Sequence, residues 1–429
     1  MTVNDTIDSS SDAFPEDATA RRKPRLLHAW IGGVAVVVVF AVIVPARLWK
    51  PDTFFTIRQN VQIAEAQAWR SGRLDLPERK HDTAVKDGKV YSYFPPMFTV
   101  IATGIVAAFD QGVPHLAVVV LLVAPAVLLV YILFLHRTRS AWWGAVLAIG
   151  FLCGTSAFPV LNLTMIYARP YDVNHTLAVI GLCLILLDYF GRRRLWPAAI
   201  GLTLAGLSRQ LTGVFALALL FMCLDGVVGA RRWGRLAFVG VTCVALGCLY
   251  GGLNTAKFGH PLRTGYMLNH EGRDDVFARE AREHGLLSLH WVPRNLYYAN
   301  IGLPQLHRID NAGRQEWYVR PNTMGTGIWW TSPLLLWVLV DLKRLVRDRS
   351  AAVLLAASAV LFGMLMFWHA TGAEQRGFNR YSLDYAPVLL ALIAPRCITP
   401  GRRVLTLAMI AWGIVYFVFV LPMPHIRIW

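Results

Sequence analysis

Long apolar runs alternate with short polar or basic stretches over almost the whole chain. Ile31–Pro45, Leu116–Leu135, Leu177–Leu187, Leu236–Tyr250 and Ala351–Trp368 are nearly uninterrupted. Runs of this length match the ~20 residues a helix needs to cross a hydrocarbon core. The pattern predicts spans at about 27–46, 115–135, 141–161, 174–190, 196–208, 211–228, 236–253, 327–342, 351–369, 381–395 and 404–422. Pro96–Phe109 is apolar but too short for a comfortable crossing, and it is read as lying along the outer interface or dipping in and returning. The fold class expected is an all-α integral membrane protein of about eleven helices. Two loops are long, 47–114 and 254–326.

Composition agrees with this picture. Of 429 residues, 55% are hydrophobic and 16% charged, with a mean hydropathy of +0.46, whereas a soluble protein carries about 25% charged residues. The net charge of +16 would suit nucleic acid, but its placement argues against that partner. Basic clusters fall between apolar runs: Arg21-Arg22-Lys23, Arg137 with Arg139, Arg192–Arg194, Arg231-Arg232 with Arg235, Lys343-Arg344 with Arg347, and Arg396 with Arg402-Arg403. Short basic loops are retained on the cytoplasmic side. That puts the amino terminus inside, the carboxyl terminus and both long loops outside, and the protein in the plasma (inner) membrane. Residues 1–25 read as a disordered cytoplasmic tail. The first span lacks a cleavage site before Trp49 and is read as retained. The cysteines form no outer-loop framework, and His260, His270, His284 and His290 are not spaced as a metal template.

Both long loops carry local structure. Ile57, Val61, Ala64 and Ala68 recur at helical spacing with Gly72 as terminator, which predicts an amphipathic helix on the membrane surface. Asp274 or Asp275 caps a helix running to His284, with Gly285 beyond it. Candidate chemistry lies at the outer ends of spans. Asp52 follows the first span by a few residues, where a carboxylate either caps the next helix or faces a site. Arg209, in Leu207-Ser208-Arg209-Gln210, interrupts an apolar stretch. A charge at such depth costs about 3 kcal/mol and marks a functional candidate, with snorkelling to the headgroups as the plain alternative. Arg169 and Asp172 share one short outer loop, as a local pair or as part of a site. Glu374, Arg376 and Arg380 surround Gly377 in a later one.

Several motifs occur in a telling order. Trp49-Lys50-Pro51-Asp52 is followed by the surface helix, by Gly72-Arg73-Leu74, and by Gly88-Lys89-Val90-Tyr91 with Tyr93-Phe94-Pro95-Pro96. The second loop opens Asn254-Thr255-Ala256-Lys257-Phe258-Gly259-His260-Pro261, then Thr264-Gly265-Tyr266. Gly325-Thr326-Gly327, Ser332-Pro333, Arg380-Tyr381 and Pro387 complete the set. Across roughly residues 26–395 this order resembles the GT-C glycosyltransferases, in the branch of protein O-mannosyltransferases, lipid A aminoarabinose transferases and bacterial lipopolysaccharide transferases. The resemblance implies a GT-C fold with a transmembrane catalytic module over 26–253, a second outer segment over 254–326 and closing helices over 327–429. It implies an inverting transferase using a polyprenyl-phosphate-linked sugar, with a glycan, lipid or protein of the cell envelope as acceptor.

In that reading Asp52 is the general base, and Asp172 shares the acid–base role or binds the donor's sugar. Arg209, Arg169, Arg380 and Arg376 offer positive charge to the leaving phosphate. Tyr91, Tyr93, His260 and Tyr266 line the loops on the acceptor side. Many relatives carry a second acid directly after the first, and here it is Thr53. Asp52 and Asp172 would flank a divalent ion if one were used, but this branch generally works without one. Two other classes compete: a flippase or transporter of lipid-linked sugars, which would show polar mid-membrane residues and paired broken helices, and a non-catalytic envelope-assembly protein.

Overall fold

A computed structural model describes residues 26–43, 57, 60–80, 82–109, 112–311, 314–322, 324–372, 377–421 and 426–428. The expected tail, 1–25, lies outside them. After α1 (Leu26–Ile43) the first long segment folds as α2 (Val61–Arg70), a hairpin of β1 (Thr83–Lys86) and β2 (Lys89–Ser92), and α3 (Met97–Phe109). Asp87 and Gly88, at φ 50° and 75°, supply the left-handed turn that closes this hairpin. The chain then enters α4 (His115–Thr138), α5 (Ala141–Gly154), α6 (Ala157–Tyr167), α7 (Pro170–Tyr189), α8 (Trp196–Gly206), α9 (Gln210–Leu224) and α10 (Gly229–Phe258). The second long segment holds α11 (Tyr266–Glu271), α12 (Val276–His284), and a hairpin of β3 (Gln305–Asn311) and β4 (Arg314–Arg320). Closing the chain are α13 (Leu336–Arg347), α14 (Arg349–Met366), α15 (Ala386–Cys397), α16 (Pro400–Val420) and β5 (Ile426–Ile428), which pairs antiparallel with β4.

The spans are less regular than the hydropathy pattern predicts. Among the described residues, five helices are long and apolar enough to cross a membrane: α4, α7, α10, α14 and α16. A sixth forms if α5 and α6, bent by 69° at their junction, count as one. The break falls at Thr155, whose hydroxyl turns back onto the Phe151 carbonyl at 2.6 Å and accepts the Ala157 amide at 3.2 Å. The span expected over 327–342 is likewise divided at Ser332-Pro333, where proline has no N–H to continue the ladder. Apolar helices of 10–17 residues, among them α3, α8, α9 and α15, make up the rest. At 13 residues, α3 is about 20 Å long, short of a hydrocarbon core of about 30 Å.

The basic turns gather at one end of the bundle. There His136 Nε2 meets the Phe190 carbonyl at 3.1 Å, Arg137 Nε donates to that of Ala391 at 2.8 Å, and the Tyr189 hydroxyl donates to that of Ser350 at 2.8 Å. Arg402 grips Asp341 through two bonds of 2.6 and 3.0 Å, with Arg396 on the same carboxylate at 3.1 Å. The two long segments meet at the opposite end. His115 Nε2 lies 2.8 Å from the Ile166 carbonyl, and Asn60 Nδ2 donates to that of Ala168.

There are two hydrophobic cores. A large one runs through the helical bundle. A smaller one, with Val61, Ala64, Leu76, Tyr91, Phe94, Phe258 and Leu268, joins both long segments into one lobe. The predicted caps hold: Asp275 Oδ1 accepts the Ala278 amide at 3.1 Å, and Gly285 follows at φ 79°. Asn60 caps α2, and Gly72 at φ 70° lies just beyond its end. The surface-helix expectation needs a correction. α2 starts at Val61, after Ile57, and its polar residues Gln62 and Glu65 are as buried as its apolar ones.

Candidate functional site

Polar side chains fill the layer between the two cores. From the lobe come Asn60, Gln62, Glu65, Ser92 and Thr99. The first turns of α7 contribute Asp172, Asn174 and His175, and the turn before α15 contributes Asn379, Arg380 and Asp384. All are buried, which obliges them to find partners or a ligand. Gln62 Nε2 donates to the Pro95 carbonyl at 2.8 Å, and Asn174 Nδ2 donates to Gln62 Oε1 at 3.3 Å.

Two ionic units stand in this layer. In the first, Lys257 at the end of α10 pairs with Glu65, whose other oxygen accepts the Thr99 hydroxyl at 2.6 Å. In the second, Arg209 donates to Asp384 through Nη2 at 2.9 Å and Nε at 3.1 Å, while His175 Nδ1 lies 3.0 Å from the other carboxylate oxygen. Side chains of His175 and Asp384 are 0% exposed and that of Arg209 16%, so the pair is shielded from water on nearly every side. The Tyr381 ring ties this unit to Arg380, with Arg209 4.7 Å from its centroid, Arg380 5.4 Å and the His175 ring 5.9 Å. Arg380 also covers the Tyr171 ring at 4.8 Å, next to Asp172.

Tyrosines roof the layer. The Tyr93 hydroxyl donates to Asp82 Oδ1 at 3.2 Å and lies 3.1 Å from that of Tyr171, with Asn269 Nδ2 at 3.5 Å. Its ring is 4.6 Å from that of Tyr266. Burial pushes the Tyr93 phenol well above its ordinary value, and Tyr171 and Asp82 add to this, so it remains a hydroxyl. Asp82 reaches it from a left-handed backbone at φ 63°, a conformation that a residue other than glycine holds only when its surroundings impose it.

No protein-family model matches the chain, and no curated protein sequence matches it significantly. Solved structures of similar fold include two. One is ArnT from Cupriavidus metallidurans bound to undecaprenyl phosphate, with 14% identity, a TM-score of 0.45, and coverage of 89% of this chain and 62% of that one. The other is the apo oligosaccharyltransferase of Archaeoglobus fulgidus, with 16% identity, a TM-score of 0.46, and coverage of 91% and 55%. This chain thus spans less than two thirds of either protein's length, and at these values the likeness carries no residue-level correspondence.

The candidates divide clearly. Asp172, Arg209, Arg380, Tyr93 and Tyr266 converge on the layer or its roof. Arg169 does not: it is exposed and stacks on the exposed Tyr167 ring at 4.8 Å. His260 is an exposed turn residue whose Nδ1 accepts the Leu262 amide at 3.2 Å. Tyr91 packs edge-on against Phe258 inside the lobe core, a scaffold position. Asp52, Arg376 and Glu374 lie outside the described residues. Sequence reading passed over His175, Asp384, Asp82 and the Glu65–Lys257 pair. Asp384 was available from the signal that singled out Arg209, a charge inside an apolar stretch. His175 lies one helical turn beyond Asp172, on the same face of α7.

Proposed function

We propose that this protein transfers a sugar, with inversion, from a polyprenyl-phosphate donor to a cell-envelope acceptor at the outer membrane face. The observation that supports it is the buried polar layer between lobe and bundle, where Asp172, Arg380 and the Arg209–Asp384 pair lie at the ends of apolar helices. Charges are expensive there, and a site for an anionic lipid headgroup accounts for them. Arg380 and Arg209 carry the charge that stabilises the departing phosphate, which leaves without a strong general acid. Asp384 fixes the Arg209 guanidinium and offsets part of its charge. Arg169 drops out of this role on its exposure. Asp172 sits in the first turn of α7, where the helix dipole favours its carboxylate, and it holds the donor's sugar or shares the proton transfer. Asp52 takes the acceptor's proton as general base, on the motif resemblance alone. The basic end of the bundle faces the cytoplasm, which turns the lobe and the layer outward.

The test is turnover of a panel of radiolabelled polyprenyl-phosphate sugars by the purified wild type, Asp52→Asn and Asp172→Asn. Transfer or hydrolysis by the wild type, lowered at least about 100-fold in Asp52→Asn with donor binding kept, is expected. Equal turnover in Asp52→Asn moves the base elsewhere. No turnover of any donor by the wild type counts against the transferase reading.

A further inference from the structure

Asp172 and the arginines carry the proposed transfer, and His175 has no part in it. This histidine is fully buried, and its Nδ1 is engaged with Asp384 at 3.0 Å. Its Nε2 has no hydrogen-bond partner among the described residues. The hydroxyl of Ser208, the residue before Arg209, is also buried and without a partner among the described residues. Buried polar atoms are rarely left so, because each forfeits the hydrogen bond it had in water.

The chemistry of the missing partner follows from the ring. An imidazole that donates Nδ1–H to a carboxylate presents Nε2 as an acceptor. The missing partner is therefore a donor. A phosphate or carboxylate oxygen offers only lone pairs there, and a cation would be set beside Arg209. A neutral hydroxyl meets both conditions, and a sugar carries several. His175 is a single helical turn from Asp172 and, through Tyr381, adjoins both arginines.

We propose that His175, held in one orientation by Asp384, reads the transferred sugar by accepting a hydrogen bond from one of its hydroxyls at Nε2. The inference rests on the transferase reading and deepens it: Arg380 and Arg209 hold the lipid phosphate, and His175 discriminates the sugar. Asp384 is then a positioning residue that serves both neighbours.

The test compares His175→Asn and His175→Gln with the wild type, as full-length protein in detergent. Asparagine keeps a donor near the Nδ1 position and deletes Nε2, whereas glutamine places its amide near Nε2. Affinity is measured for bare undecaprenyl phosphate and for undecaprenyl-phosphate sugars, with the melting temperature recorded for each variant. The wild type is expected to bind one sugar-bearing donor about five- to tenfold more tightly than the bare lipid. His175→Asn loses that preference while its affinity for the bare lipid stays unchanged, and His175→Gln keeps part of it. An unchanged preference in His175→Asn means that Nε2 is satisfied by water and overturns the proposal. An equal loss of bare-lipid affinity assigns His175 to Arg209 and the phosphate, and also overturns it. Should His175→Asn fail to fold, the preference retained or lost in His175→Gln decides. A wild type that binds the bare lipid but prefers no sugar sinks this inference and leaves the transferase reading standing; one that binds no polyprenyl phosphate sinks both.

Discussion

Glu65 and Lys257 come from segments 192 positions apart, yet their side chains are 0% and 4% exposed and meet in one ion pair. Two charges removed from water gain from each other little more than their desolvation costs, so the pair is costly to break and cheap to replace whole. Glu65→Gln leaves the Lys257 ammonium buried without its counter-charge, and a loss of about 3–5 kcal/mol is expected. Glu65→Leu combined with Lys257→Met should recover most of it. Thermal denaturation of the wild type, Glu65→Leu, Lys257→Met and the double variant in detergent measures the cycle, and equal losses in single and double variants would count against the pairing. Neither residue stood out in the sequence, because each lies where a charged residue is ordinary: a surface helix and a helix end. Their burial follows from the lobe docking on the bundle, which no local pattern encodes. Arg209 was legible for the opposite reason, a charge where the flanking residues are apolar. Its partner Asp384 obeys the same rule, a charge just ahead of the apolar run of α15.

At the scale of elements, the second-loop motif has a plain physical reading. Asn254 through Phe258 form the last turns of α10, and Gly259 at φ 77° ends the helix in the left-handed region. Asn254 Nδ2 donates to the Pro261 carbonyl at 3.0 Å and fastens the exit turn. Phe258 enters the lobe core, where Gly265 passes over its ring. A Cβ on Gly265 would lie 2.5 Å from Phe258 Cζ, and the backbone there has φ 77°. Gly265→Ala is therefore expected to cost about 1–3 kcal/mol and to expose the 259–272 segment to limited proteolysis at a temperature the wild type withstands. An unchanged digestion pattern would contradict the close packing. Caps and glycine stops of this kind were readable from sequence, as at Asp275, Gly285 and Gly72, because they depend on neighbours within a few positions. Helix breaks at Thr155 and Ser332-Pro333 were not, since hydropathy averaged over a window does not register a single interrupted hydrogen bond.

For the whole molecule, hydropathy and basic clusters foretold a multi-helix membrane protein with two elaborated segments at one end. What they did not foretell is that the two segments share one core and close over the bundle as a single lobe. The polar layer beneath it draws on α2, α3, α7, α10 and the turn before α15, elements scattered from Asn60 to Asp384. Placement of the headgroup in this layer is the central claim, and photocrosslinking tests it most directly. A diazirine placed near the phosphate of a polyprenyl-phosphate probe, with excess undecaprenyl phosphate as competitor, would be mapped by mass spectrometry. Competed labelling confined to peptides around Asp172, Arg209 and Arg380–Asp384 is predicted. Labelling of the basic end around Asp341, or labelling that the competitor leaves untouched, would contradict the account.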